Sequence, residues 1–283
     1  MSRTARRVAL NGIGLLAAFF FAFPVYWMVN TAFKSADQFQ TYVPVFIPDF
    51  TLDNFTKALN QPHFIDFVRN SVFVSFFTVL LALVVGFLSA MALARLRFRG
   101  RKGFLLLVAV AQMAPFEALL IPIFLTIRNG LPGPLGFLPI GYNQVPTLIL
   151  IYFIFTLPFT IWSLRGFVAG IPVDLEEAAM VDGASRFQAF YKVTLPLLAP
   201  GLVATSIFCY ITSWNEFLYA NTFMSEQTNY TLPVWLVSFR TFLGTDWGAT
   251  MAASTLFTLP VLFFFLIIQG RMVGGLAAGG VKG

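Results

Sequence analysis

Six stretches of about twenty predominantly apolar residues dominate the chain, at roughly 8–28, 70–94, 104–127, 147–164, 198–220 and 249–268. As helices they match the hydrocarbon thickness of a bilayer, and in lipid a helix pairs all of its own backbone polar groups. The expected fold is therefore an all-α integral membrane protein with six transmembrane helices in a single transmembrane domain over 1–283. Composition agrees, because only 11% of residues are charged, against about 25% in soluble domains. The 35 phenylalanines suit lipid-facing and interfacial surface. A formal charge of +6 could suggest nucleic acid, but the basic residues sit in short loops between apolar runs, where they set membrane topology. One cysteine and one histidine exclude an intrachain disulfide and most metal or nucleophile constellations. Cys209 reads as a small buried or lipid-facing side chain, and His63 as a solvated loop residue.

Arg3, Arg6 and Arg7 precede the first run in the manner of a signal peptide. No small-residue cleavage site follows, and Pro24, Tyr26 and Trp27 form an interface end, so a retained anchor is expected. Pro115 and Pro122 interrupt the third run and Pro158 lies in the fourth. Each is expected to kink its helix and free carbonyls, which is tolerated beside a cavity or a neighbouring helix. Thirteen of the 18 Lys and Arg fall in the N-terminus, the loops after the second and fourth runs, and the tail 270–283. The positive-inside rule then places both termini and those two loops, including Arg95–Lys102, in the cytoplasm.

Between the fourth and fifth runs lies the longest charged, small-residue stretch of the second half, 172–196. Asp174 and Glu177 have capping-box spacing, so a helix should begin just after Pro172-Val173. Ala178 and Ala179 allow close approach of another surface, Gly183 offers the turn, and 185–192 can form a second short helix that Leu195-Pro196 stops. This helix-turn-helix should project into water as a docking knob.

At the knob a family resemblance becomes specific. Glu177-Ala-Ala, Gly183 after three residues, and Val193-x-Leu195-Pro196 after nine more match the EAA loop of permease subunits of binding-protein-dependent ABC importers, with Val193 where Ile is usual. Thr51-Leu-Asp-Asn-Phe55, Pro158 to Phe167, Trp214-Asn-Glu-Phe217, Thr231-Leu-Pro-Val234 and the ending Gly280-Val-Lys-Gly283 resemble the carbohydrate branch, of the maltose-permease G and glycerol-phosphate-permease E types. The resemblance implies a subunit of an ATP-driven importer in a prokaryotic cytoplasmic (inner) membrane, moving a sugar handed over by an extracytoplasmic binding protein. Its implied partners are a second homologous permease, two cytoplasmic ATPase subunits and the binding protein. The implied ATPase-coupling residues are Glu176, Glu177, Ala178, Ala179, Asp182, Gly183, Leu195 and Pro196, and Gly280, Val281 and Lys282 would form a tail contact. No phosphate-loop sequence occurs, so ATP and Mg are expected on the partner ATPase and no cofactor or enzymatic activity on this chain.

Glu117 and Glu216 are the ionisable side chains expected within the spans, and such groups usually face a bundle interior, a cavity or a partner. Tyr210, Trp214 and Asn215 surround Glu216, while Gln112 precedes Glu117. These six are the candidate substrate path: rings stack on sugar C–H faces, and amide and carboxylate groups bind hydroxyls. An interfacial aromatic belt explains Trp214 equally well, and for Glu216 a structural polar role is favoured. Import of glycerol phosphate, an amino acid or a polyamine stands as an alternative. An integral-membrane transferase would need an acidic or histidine cluster, and Glu216, Glu226 and Asp246 are too scattered to make one.

Overall fold

The computed structural model describes residues 3–39, 41, 43–128, 136, 139–241 and 244–279. The chain opens with α1 (Arg3–Ala32), a 3-10 turn (Ala36–Phe39), α2 (Asp53–Leu59) and α3 (Phe64–Arg95). After α4 (Arg101–Met113) come a 3-10 turn (Glu117–Leu119), α5 (Leu120–Arg128) and α6 (Val145–Gly170). The knob region holds α7 (Asp174–Val181) and α8 (Arg186–Ala189), and α9 (Leu195–Trp214) follows. The remainder is α10 (Leu218–Phe223), α11 (Leu232–Val237), the two-residue antiparallel strands β1 (Arg240–Thr241) and β2 (Gly244–Thr245), and α12 (Trp247–Gly279).

Five helical stretches among the described residues are long and apolar enough to cross a membrane: Ala5–Ala32, Phe64–Arg95, Val145–Gly170, Arg186–Trp214 and Trp247–Gln269. The third expected span is not a straight helix, because α4 and the Glu117–Arg128 segment meet at 88°. Pro115 explains the corner. A residue before proline is driven out of the helical region, and Ala114 has φ −66° and ψ 123°. Pro158, by contrast, lies inside an unbroken α6. The fifth helix ends at Trp214 rather than 220, and the backbone of α12 stays helical to Gly279, into the stretch expected as a Gly-rich tail.

Two compact units divide the chain. One comprises the residues up to Phe64 with Trp235–Leu262, the other Ile65–Val234 with the chain from Phe263. In the first unit Asn54, from the Thr51–Phe55 stretch, is 4% exposed and donates to the carbonyls of Ala32 (3.0 Å) and Lys34 (2.8 Å). It thereby satisfies carbonyls freed where α1 ends. Its amide also lies against Gly248, where a Cβ would collide with it. None of the apolar window of α1 is buried among the described residues, and Phe19, Phe20 and Phe21 are exposed.

The second unit is built on α3, α6 and α9. Ala90, Leu164, Val168, Ile171 and Leu198 form one buried cluster, and Leu93, Val108 and Ile161 bring in α4. Small residues let the backbones approach, as expected where lipid supplies no hydrophobic drive between helices. Gly86 of α3 sits on Thr160 of α6, and Gly201 of α9 sits on the Phe167 ring. Short polar contacts join α6 to α9: Ser163 Oγ to Thr205 Oγ1 at 2.8 Å and Thr160 Oγ1 to Cys209 Sγ at 3.2 Å. Cys209 is accordingly buried, and His63 lies exposed in a turn.

Gly86→Val and Gly201→Val should each lower the thermal stability of the purified protein, by about 1–3 kcal/mol as overpacking does. Gly166→Ala, whose added Cβ would meet nothing within 4 Å, should not. Equal melting temperatures across the three variants would show that close helix approach is not what holds this unit together.

Candidate functional site

Two helix breaks meet in the second unit. One is the corner at Ala114-Pro115-Phe116, and the other is the gap between Trp214 and Leu218. The Tyr219 hydroxyl donates to the Phe116 carbonyl at 2.8 Å, and the two rings lie 4.5 Å apart. The Glu216 carboxylate accepts the backbone N–H groups of Tyr219 (2.8 Å) and Ala220 (3.2 Å) and the hydroxyl of Tyr152. It therefore serves the unpaired donors at the start of α10, and the bonds offset the cost of withdrawing a carboxylate from water.

A cavity of about 320 Å³ opens between these breaks. Gln112, Tyr152, Thr156, Thr212 and Glu216 supply its polar wall, and the rings of Phe116, Phe155, Phe159 and Phe208 the rest. Hydroxyl, amide and carboxylate groups set among aromatic faces can hold a polyhydroxylated solute loosely, with stacking on one side and hydrogen bonds on the other. No metal-holding group of His, Cys, Asp and Glu occurs among the described residues.

Of the six candidate path residues, Gln112 and Glu216 reach this cavity. Glu117 begins the turn past the corner, exposed. Tyr210 stacks on Trp214 (5.4 Å) and packs on Phe264 (4.5 Å), and Trp214 is 1% exposed. Asn215 turns its amide back to the Ile211 carbonyl at 2.8 Å, closing the last turn of α9. Tyr152, Thr156 and Thr212 were missed by the sequence reading. A signal existed: Tyr152, Thr156 and Thr160 recur every four residues, which puts them on one face of an otherwise apolar helix.

The knob begins where expected, but not through the expected cap. Val173 is the N-cap of α7 and carries no side-chain cap bond, so the Asp174–Glu177 box does not form. Asp174 is already inside the first turn, where its negative charge still suits the helix dipole. The box that does form is Ser185–Gln188, at the start of α8. Between them Ala184 N–H bonds the Ala179 carbonyl (3.0 Å) and Gly183 N–H the Met180 carbonyl (3.1 Å), with Gly183 at φ +88°. That is a Schellman turn, which needs a residue tolerant of the left-handed region.

Pro196 does not stop the second helix. A π-helical turn over Phe190–Thr194 carries α8 into α9, and Arg186–Trp214 runs as one span. Proline lacks a donor and crowds the turn before it. The wider π turn just ahead of Leu195-Pro196 shifts the hydrogen-bond register and absorbs the misfit.

Arg95, at the end of α3, fastens the knob. Its Nη2 donates to the Glu176 carboxylate at 2.7 Å and to the Ile171 carbonyl at 3.1 Å, in a pair whose side chains are 15% and 19% exposed. Glu176 is thus engaged within the chain. Glu177, Ala178, Asp182 and Gly183 stay exposed, Ala179 and Leu195 are half-buried, and Pro196 is exposed. Apolar side chains are exposed beside the carboxylates: Val181 (87%), Phe187 (74%) and Tyr191 (61%). Gly280, Val281 and Lys282 lie outside the described residues.

Several lipid-length helices, one broken pair and an amphipathic helix-turn-helix between two spans are the parts of a multi-pass membrane permease. Over residues 71–276 the chain matches the family described as "Binding-protein-dependent transport system inner membrane component", and it belongs to that family. It is 47% identical over 262 residues to the diacetylchitobiose uptake system permease protein DasC of Streptomyces coelicolor, covering 92% of each chain. It is 32% identical over 281 residues to the trehalose/maltose transport system permease protein MalG of Thermococcus litoralis, covering 98% of each. In fold it resembles a chain of a bacterial ABC transporter involved in the import of the acidic polysaccharide alginate, with TM-score 0.75 and 23% identity, over 95% of this chain and 98% of that one.

Gly183→Ala should strain the turn by about 1 kcal/mol, and Arg95→Met should cost about 1–3 kcal/mol by leaving Glu176 without its charged partner. Hydrogen–deuterium exchange read by mass spectrometry should show faster exchange over residues 174–184 in both variants, with the spans unchanged. Wild-type protection in Arg95→Met would mean that the ion pair does not hold the knob.

Proposed function

We propose that this chain is one transmembrane subunit of an ATP-driven importer and translocates a sugar or sugar derivative received from an extracytoplasmic binding protein. The observation that carries this reading is the knob: an exposed helix-turn-helix with free carboxylates and apolar side chains, fixed by Arg95 to the same unit that holds the cavity. The naming of relatives for diacetylchitobiose and trehalose/maltose transport supports the sugar substrate, as does the mixed aromatic and hydroxyl lining of the cavity.

In this reading the knob, both termini and the Arg95–Lys102 loop lie in the cytoplasm. The knob seats in one of two ATPase subunits, which bind ATP and Mg and do the hydrolysis, and this chain binds no cofactor. Glu177 and Asp182 face a basic or amide rim on the ATPase, Ala178 and Ala179 permit close contact, and Glu176 orients the helix through Arg95. Gly183 shapes the turn, while Leu195 and Pro196 join the knob to α9. The tail Gly280-Val281-Lys282 makes a further ATPase contact. A second homologous permease completes the pathway, and the two bundles rock between inward- and outward-facing states as a rigid-body switch.

Affinity purification in mild detergent tests the assembly. Wild type should retain an ATPase subunit and a second permease, and Glu177→Lys should lose the ATPase while keeping the permease. Recovery of wild type with no ATPase would overturn the importer reading. For the path, Thr156→Val and Gln112→Leu should each cut uptake of a radiolabelled oligosaccharide several-fold with assembly intact, and unchanged uptake would remove the cavity from the route.

A further inference from the structure

A second cavity, of about 460 Å³, lies in the first unit, where α1 ends and α12 begins. Trp27, Thr31, Lys34, Gln38 and Trp247 face it. Its wall is held in place: Asn30 Nδ2 donates to the Val45 carbonyl at 3.0 Å, and the Tyr26 hydroxyl donates to the Phe46 carbonyl. The knob and the cavity beside Glu216 belong to the other unit and have no part in it.

Lys34 is the unusual residue here. It is 6% exposed, its Nζ stands 4.2 Å from the centre of the Trp27 ring, and no carboxylate pairs with it among the described residues. Its stem is buried, and the residue lines the pocket with its ammonium over an aromatic face. The cation–π contact contributes about 0.5–2 kcal/mol and leaves the ammonium without a counter-charge among the described residues. Desolvation pulls the ammonium below its ordinary range.

The neighbouring polar atoms are donors without takers. Thr31 is 8% exposed, and its buried Oγ1 has no hydrogen-bond partner among the described residues. The Gln38 Oε1 is already occupied by the N–H groups of Ser35 (3.3 Å) and Asp49 (3.1 Å), which leaves its amide N–H groups to donate. Lys34, Thr31 and Gln38 thus line one pocket with Trp27 and Trp247, and no acidic residue is in the lining.

We infer that this pocket is an oxyanion-binding site, taking a carboxylate or phosphate carried on a body that lies against Trp27 or Trp247. Two sources offer that chemistry: a free acidic saccharide, and the headgroup of an anionic lipid at the membrane boundary where α1 leaves its apolar run. The site is separate from the proposed sugar path and from the knob, so its failure would leave both standing.

The assembled transporter, reconstituted in nanodiscs of phosphatidylcholine with or without phosphatidylglycerol, tests the site. Tryptophan fluorescence is titrated with glucuronate, inorganic phosphate and, as the uncharged control, glucose, and retained lipid is counted by native mass spectrometry. In phosphatidylcholine, glucuronate or phosphate should bind saturably and glucose should not. Lys34→Met should weaken that binding about tenfold or more, Thr31→Val about threefold, and Lys34→Arg least. If lipid is the natural source, phosphatidylglycerol should compete with glucuronate, and its retention should fall in Lys34→Met. The proposal is overturned if neither anion nor phosphatidylglycerol distinguishes wild type from Lys34→Met. Should that variant fail to assemble, unchanged affinity in Thr31→Val overturns it.

Discussion

Backbone groups left unpaired in hydrocarbon are too costly to persist, and the second unit is arranged around the two places where that cost arises. The helix breaks at Ala114-Pro115, where proline disfavours the helical conformation of the residue before it. It breaks again after Trp214. Each break is satisfied by groups from elsewhere in the unit. Tyr219 supplies the donor for the Phe116 carbonyl, and Glu216 supplies acceptors for Tyr219 and Ala220 while Tyr152 steadies its carboxylate. The cavity is the space these mutually supporting breaks leave open, and polar and aromatic groups line it.

The knob faces the opposite problem, that of a small element with little core of its own. Its shape comes from local chemistry: the Schellman turn at Gly183, the Ser185–Gln188 box, and a π turn that lets Pro196 sit near the start of a long helix instead of ending one. Its orientation comes from one partly desolvated contact, Arg95 with Glu176 and the Ile171 carbonyl. Because α9 continues directly from the knob and α3 grips it, a push on the knob acts on two helices of the unit at once.

The first unit pairs a free-standing hydrophobic helix with a well-tied end. The apolar stretch of α1 is not buried among the described residues, a surface that suits lipid or another protein. Its C-terminal end, by contrast, is bound through Asn54 to α2 and through Asn30 and Tyr26 to the Val45-Phe46 segment. Lys34 is enclosed by this fastening rather than by any counter-charge.

The sequence by itself determined the class of the protein. Runs of lipid length, few charges, a basic-residue bias between alternate loops and the spaced Glu177–Pro196 pattern are one-dimensional signals of one-dimensional constraints, and both the spans and the family followed from them. It also located the knob, because Gly183 needs only its neighbours to make its turn. Which residues meet across the bundle was decided only by the tertiary structure. Trp214 and Asn215 looked like sugar contacts because their residue types suit sugars, yet helix packing buries one and turns the other back onto its own helix. Tyr152 and Thr156 carried only a four-residue spacing on an apolar run, and they line the cavity because α6 passes both breaks. Arg95 read as one more topogenic charge, and it became the clamp on Glu176, 81 residues away. Sequence spacing reports what adjacent turns of one helix can do; it carries no information on the rotation of that helix against its neighbours, and the site is built from that rotation.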